Sequence, residues 1–94
     1  MAITYGTEYD FGTPSGQAKV AKLDDTHIAI SFVDAADDYK GKVVIGVISN
    51  DDEITFGSAY EFCPSAGETS ICALSSTTFI VSNIYIARLG TYLS

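Results

Sequence analysis

The sequence predicts an all-β fold assembled from two copies of one four-stranded antiparallel unit. Three observations carry that prediction. The chain repeats itself at a spacing of 51 residues, no segment sustains a helical period, and the expected strands are apolar on both faces.

The repeat is the strongest of the three. Displaced by 51, ITYGTEYDF at 3–11 falls on ITFGSAYEF at 54–62, and VAKLDDTHIAIS at 20–31 falls on ICALSSTTFIVS at 71–82. Nine of the 32 pairs from Met1/Asp52 to Phe32/Asn83 are identical, among them Gly6/Gly57, Tyr9/Tyr60, Phe11/Phe62, Leu23/Leu74 and Ser31/Ser82. Random pairing at ordinary residue usage gives about two. Most other apolar positions exchange like for like, as in Tyr5/Phe56, Val20/Ile71 and Ile30/Val81. A period near 50 is one at which a supersecondary unit recurs to bury faces that it cannot bury alone.

Within one period the elements read as strands A to D. Strand A spans 18–23, with Asp24-Asp25 as the turn, and strand B spans 26–33 (THIAISFV), rich in β-branched and aromatic residues. The loop DAADDYKG leads to strand C at 42–49, and Asn50-Asp51-Asp52 supply turn chemistry before strand D at 53–62. Gly57 stands inside strand D, where a bulge or bend is expected. The loop CPSAGE returns the chain to a second A and B over 69–84. Beyond Ser82 a shift of 44 aligns Ile45-Gly46 with Leu89-Gly90, which makes YIARLGTYLS a second strand C behind a shortened B–C loop. With 3–11 as a further D, the order is D-ABCD-ABC in a single domain, repeat 1 at about 1–51 and repeat 2 at about 52–94.

The faces narrow the architecture. Ile28, Ile30 and Phe32 alternate with Ala29, Ser31 and Val33, and Val43, Ile45 and Val47 alternate with Val44 and Ile48. A sheet with one wet face alternates apolar and polar residues, and these strands do not. Each sheet is therefore expected between two others. The middle strand of a single-chain β-sandwich is the alternative.

Composition agrees with a chain that hides its surface by association. Hydrophobic residues make up 47% and charged residues 18%, against about 25% charged in an ordinary soluble domain. Five Lys and Arg against twelve Asp and Glu give a formal charge of −7, which argues against nucleic acid and anionic membrane as partners. No stretch approaches the roughly 20 apolar residues of a spanning helix, so no membrane insertion is expected. MAITYGTEYD has neither a basic n-region nor an apolar h-region, so no signal peptide is expected; a virion or surface destination stays open. Cys63 and Cys72 are too few for a disulfide framework and are expected as small buried or half-buried residues. With His27 the lone imidazole, no metal site or cofactor is expected.

The residues Leu23, Thr26 and Ser31, then Gly41, Gly46, Ile54, Gly57, Tyr60 and Phe62, form L-x-x-T-x-x-x-x-S, G-x-V-x-I-G-V-I-S and I-T-[FY]-G-x-x-Y-x-F. This pattern resembles β-propeller repeats of bacterial and phage surface or adhesin-like proteins. The two-unit chain is similar to small bacterial and fungal lectins that trimerise into six-bladed, sugar-binding propellers. The order D-ABCD-ABC leaves strand 3–11 to complete a neighbour's sheet, head to tail, in a homo-oligomeric propeller of four, six or eight blades, with six from a trimer favoured. Those lectins hold sugar on tryptophans; this chain has none, so no site residue carries over.

For chemistry, strand alternation puts the D–A loops (12–17 and 63–68) and the B–C loop (34–41) at one end of the unit. Asp34, Asp37, Asp38, Tyr39 and Lys40, with Glu68 on the neighbouring loop, are the candidate ligand-binding residues, suited to carbohydrate hydroxyls or a hard cation. A solvated acidic loop is the plainer reading, since D-x-[DN]-x-[DN]-G spacing is absent. His27 reads as a strand-end residue, no serine lies in a G-x-S-x-G elbow, and no enzyme is expected. Tyr9 and Tyr60 recur with the repeat and read as packing residues. The expected function is a non-enzymatic, lectin-like binding module; the alternative is a purely structural assembly component.

Overall fold

The computed structural model describes residues 2–12, 17–50 and 53–93, and of Asn50 the backbone only. The expected turn at Asp51-Asp52 and most of the 12–17 loop lie outside the described residues. The elements are β1 (Lys19–Asp24), β2 (His27–Asp34), β3 (Lys40–Asn50), β4 (Glu53–Phe56), β5 (Tyr60–Cys63), β6 (Ser70–Ala73), β7 (Thr78–Ser82) and β8 (Ala87–Thr91). All described regular structure is strand, in two antiparallel sheets. The first has the order β1-β2-β3-β4, with β5 also pairing β3, and the second has the order β6-β7-β8.

The two sheets share one register. Val20 faces Ile30 in the first and Ile71 faces Val81 in the second, each residue displaced by 51. Gly46 faces Ile28 across β3 and β2, and Gly90 faces Phe79 across β8 and β7, which fits the shift of 44 for strand C. The same displacement carries the closing hydrogen bond: Ile48 N–H donates to Thr26 C=O at 2.8 Å, and Tyr92 N–H to Thr77 C=O at 2.7 Å. Even the turns correspond. The Asp24 carboxylate accepts from Thr26 N–H at 2.8 Å, and Ser75, 51 residues on, accepts from the N–H groups of Thr77 and Thr78. Short polar side chains hold such turns by mimicking a backbone carbonyl.

Strand D is broken where a single strand was expected. From Gly46/Phe56 to Val43/Tyr60, three steps along β3 answer four along the partner, so one extra residue bulges out between β4 and β5. Gly57 N–H still reaches Ile45 C=O at 3.1 Å. The bend stands at Gly57 as the sequence indicates, yet a Cβ there would meet nothing within 4 Å. Gly41, Gly46 and Gly90 are the glycines demanded by space: a Cβ on Gly41 would lie 2.7 Å from Cys63 Sγ, one on Gly46 would lie 2.9 Å from Phe56 Cε1, and one on Gly90 would run into the Phe79 ring.

The sheets stack through unlike faces. The front of the first sheet (Leu23, Ala29, Val33, Val43, Ile45) packs on Ile71, Ala73, Phe79 and Val81 of the second. Those four are the counterparts of Val20, Lys22, Ile28 and Ile30, which lie on the back of the first sheet. So the front of one repeat meets the back of the next. A buried hydroxyl pair, Ser31 Oγ and Thr69 Oγ1 at 2.9 Å, lies within this interface, and Thr69 donates on to Gln17 C=O. The back of the first sheet holds a second cluster of Ile30, Phe32 and Val44, flanked by Phe11, Ile28 and Phe56.

Residues 3–11, expected to pair only with a neighbouring copy, pair with neither sheet of their own chain, and Ile3 and Tyr5 are 79% and 88% exposed. Two expectations need correction. Cys72 is exposed on the uncovered front of the second sheet, while Cys63 is buried and both are free thiols. Tyr60 is largely exposed and so is not a core residue in the single chain. No helix among the described residues is long and apolar enough to cross a membrane.

Candidate functional site

The densest polar group sits where β2 hands over to β3. Asp34 C=O accepts from Asp37 N–H (3.1 Å) and Tyr39 N–H (2.9 Å), so the loop folds back in a tight double turn. The Asp34 carboxylate accepts from Ala36 N–H at 3.1 Å, an Asx turn that fixes the first corner. Asp38 (φ 54°) and Tyr39 (φ 60°) both adopt the left-handed conformation, ordinary for Asp and uncommon for Tyr. Tyr39 is held there from both sides, since its C=O accepts from Ala66 N–H at 3.0 Å while its ring stays exposed. That bond also brings the 63–68 loop against the 34–40 loop, at one end of the unit as alternation predicts.

Four carboxylate–ammonium contacts bind this loop to the strands. Lys42 Nζ lies 2.8 Å from both Asp34 Oδ2 and Asp37 Oδ2, and Lys40 Nζ lies 3.4 Å from Asp37 and 3.6 Å from Glu61. The hydrogen bond from Lys42 holds the Asp37 carboxyl below its usual range, with Lys40 assisting. In return Asp34, then Asp37, raises the Lys42 ammonium, and Asp37 chiefly raises Lys40. The network neutralises most of its own charge.

Of the expected ligand-binding residues, the structure brings together Asp34, Asp37, Asp38, Tyr39 and Lys40. Glu68 stands apart, lining a shallow recess with Ser70, Ser82 and Asn83. Sequence reasoning missed Lys42 and Glu61. Their signal lay in the strand register, which sets Lys42 opposite Glu61 and Asp34 opposite Lys40. Among the described residues no three His, Cys, Asp or Glu side chains converge to hold a metal ion.

His27 is tied down at the β1–β2 turn, with Nδ1 2.9 Å from both Asp24 Oδ1 and Thr26 Oγ1. Carboxylate and hydroxyl share one ring nitrogen, so Thr26 is not placed as a nucleophile on the opposite nitrogen. Thr26 N–H and then His27 keep the Asp24 carboxyl below its ordinary value.

A concavity of about 540 Å³ opens between the β4–β5 side of the first sheet and the β8 side of the second. Ile45, Tyr60, Phe62, Phe79, Arg88 and Tyr92 line it. Arg88 reaches across to donate to Phe62 C=O at 3.3 Å. One wall is the outer edge of β8. Tyr92 N–H points to β7, so by strand alternation the N–H and C=O groups of Leu89 and Thr91 point away from β7, into the concavity. Comparison with known protein families, curated proteins and solved structures finds no match.

Proposed function

We propose that this protein is a non-enzymatic, self-assembling module that stacks head to tail into a closed ring, with three copies and six sheets as the favoured size. One observation carries the reading: within the chain, the front of one repeat packs on the back of an equivalent repeat. Such a contact uses two different surfaces, so it leaves a free back on the first repeat and a free front on the second. Repeated between copies it closes a ring or runs on as a filament.

The free front has the character of an interface. Leu23 and Ala29 are 7% and 0% exposed in the first sheet, whereas their counterparts Leu74 and Ile80 in the second are 56% and 40% exposed. Leu89, counterpart of Ile45, is 67% exposed, and Cys72 completes the row Cys72-Ile80-Leu89 across β6, β7 and β8. Covering this patch returns the second sheet to the environment of the first. A finished sandwich would instead present polar outer faces.

A second reading adds ligand display to the ring. Tyr39 favours it, since an exposed aromatic side chain on a doubly anchored left-handed turn is a fixed platform for the apolar face of a sugar. Ring symmetry would repeat it once per copy and raise avidity. The carboxylates beneath it already accept from Lys40 and Lys42, which favours structural use of the charges. The first test is native mass. Light scattering is expected to give a single species near about 30 kDa, three times the 10.0 kDa chain. A monodisperse monomer at micromolar concentration would reject the ring. A glycan array probed with wild type and Tyr39→Ala then separates display from bare assembly.

A further inference from the structure

We infer that residues 3–11 of one copy add to the free edge of β8 in a neighbouring copy, in one register: Ile3 opposite Tyr92, Thr4 opposite Thr91, Tyr5 opposite Gly90 and Tyr9 opposite Ala87. This rests on the ring reading and names the segment and the alignment that join its copies.

The register follows from the first sheet. There β3 faces strand D as Ile48/Ile54, Val47/Thr55, Gly46/Phe56 and Val43/Tyr60. Residues 3–11 repeat the strand-D sequence at a displacement of 51, and β8 repeats β3 at 44 with the register of its other edge preserved. Applying both displacements gives the four pairs. The bulge is carried over as well. Gly57 N–H donates to Ile45 C=O, so Gly6 N–H meets Leu89 C=O, one of the edge groups of β8 without a strand partner among the described residues.

The concavity has the features this occupant needs. It runs along β8 and is apolar where Tyr5 would lie beside Phe79 over Gly90, the position Phe56 takes beside Ile28 over Gly46. The added strand satisfies the outward backbone groups of Leu89 and Thr91 in the manner of β-augmentation.

The anchor is already in place. Phe62 and Cys63 lead from the first sheet onto the second, where Asn83 Nδ2 contacts Cys63 Sγ at 3.3 Å. Phe11 and Gly12, their counterparts, lie against Phe32, the counterpart of Asn83: ring centroids of Phe11 and Phe32 are 5.3 Å apart, and a Cβ on Gly12 would lie 3.2 Å from Phe32. Phe11 also packs on Phe56 at 5.7 Å. So Phe11 stands on the back of its own first sheet as Phe62 stands on the back of the second. The residues before it are left free to reach the neighbour, whose open front covers that same back.

The test is a disulfide between copies. Thr4→Cys with Thr91→Cys, in a Cys72→Ser background, places the thiols at an opposed pair whose Cα separation of about 5.5 Å a disulfide spans. Gly6→Cys with Thr91→Cys is the control, on the same face but displaced by two residues, about 7–8 Å apart. Both changed sites are exposed in the chain, so folding is preserved. Oxidation is expected to convert the first variant to covalent multimers up to the ring mass and to leave the control as single chains on a non-reducing denaturing gel. Cross-linking in both, or in neither, with the reduced protein still oligomeric, overturns the register and leaves the ring standing. A disulfide closed inside one chain overturns donation. A monomeric mass for the reduced protein overturns the ring and this inference together.

Discussion

Leu89→Lys separates the fold of one chain from its assembly. Leu89 is 67% exposed on the front of β8, so only about a third of its side chain is buried in the single chain. Full burial of a leucine is worth about 2 kcal/mol, so the substitution removes about 0.7 kcal/mol from the folded chain. For a domain of this size that lowers Tm by about 3–5 °C. In the ring the same position faces the apolar back of the next copy. An ammonium enclosed there without a counter-charge costs several kcal/mol, and about 4 kcal/mol raises Kd for each contact about a thousandfold. Every contact of a closed ring carries the change, so the ring is lost as a whole.

The assay is size-exclusion chromatography with light scattering, paired with thermal unfolding. The expected result is a particle of 10.0 kDa with native circular dichroism and the small Tm decrease calculated above. Net charge works in the opposite direction: adding Lys moves the formal charge from −7 toward zero, which on its own eases association. Dissociation therefore reports the buried cation and not bulk repulsion. An oligomer of unchanged mass would refute the stacking of front on back, because no such stack leaves Leu89 in water.

Other outcomes follow from the same geometry. Phe32→Ala deletes the fully buried ring on which Phe11 rests and is expected to destabilise by about 3–5 kcal/mol in denaturant melts, a large share of a small domain's stability. Gly41→Ala is expected to destabilise by about 1–3 kcal/mol, because the new Cβ meets Cys63 Sγ and Phe62, whereas Gly57→Ala, with open space around it, is expected to be neutral or slightly stabilising in the same melts. The loop network has a defined pH window: Asp37 is lowered from 3.8, so its contribution is present above that value and fades as pH falls below it, and Lys42 is raised from 10.5, so its contribution is present below that value and fades as pH rises above it. Stability measured against pH should therefore lose part of its fall at both extremes in Lys42→Met, and an unchanged profile would show the network to be idle.

The repeat, the strand identities and the two apolar faces were legible because each is written in local sequence. Identities at a spacing of 51 fall on the turn at Thr26/Thr77, on the core at Leu23 and Phe62, and on Ser31, whose hydroxyl is bonded inside the interface. The shift of 44 rested on Gly90 alone, yet register shows the reason for that residue: Phe79 lies over it and a Cβ has no room. The candidate site was legible as a charge cluster but not as a network. Its outcome depends on Lys42 and Glu61, which are brought to the loop only by pairing β3 with β2 and β5. Exposure of Cys72 and Leu89 was illegible for a different reason. Their counterparts Ala21 and Ile45 are half-buried, and what differs is whether another sheet lies on top.

That difference also explains why the two joints between repeats are built from different residues. Within the chain, the path from β5 to β6 is covalent, so Cys63 and Asn83 need only align it, and a polar contact supported by Ser65 C=O suffices. At the equivalent joint on the first sheet the aligned residues are Gly12 and Phe32, and the contact is an aromatic packing of Phe11 on Phe32 and Phe56. An edge-to-face pair contributes about 0.5–1.5 kcal/mol beyond the area it buries. Fixing Phe11 fixes the direction in which residues 3–10 depart, and so removes part of the ordering entropy otherwise lost when a free segment joins a sheet. On the proposed ring reading, a joint formed between molecules is pre-aligned by Phe11 on Phe32 and Phe56, while at the covalent joint Phe62 is buried in the core and Asn83 adds a polar contact to Cys63. If residues 3–11 instead served only as a tail, nothing would require Phe32 where the second repeat carries Asn83, and Phe11→Ser would leave the native mass unchanged. In the ring, the same substitution unfastens the donor and is expected to shift the particle toward single chains.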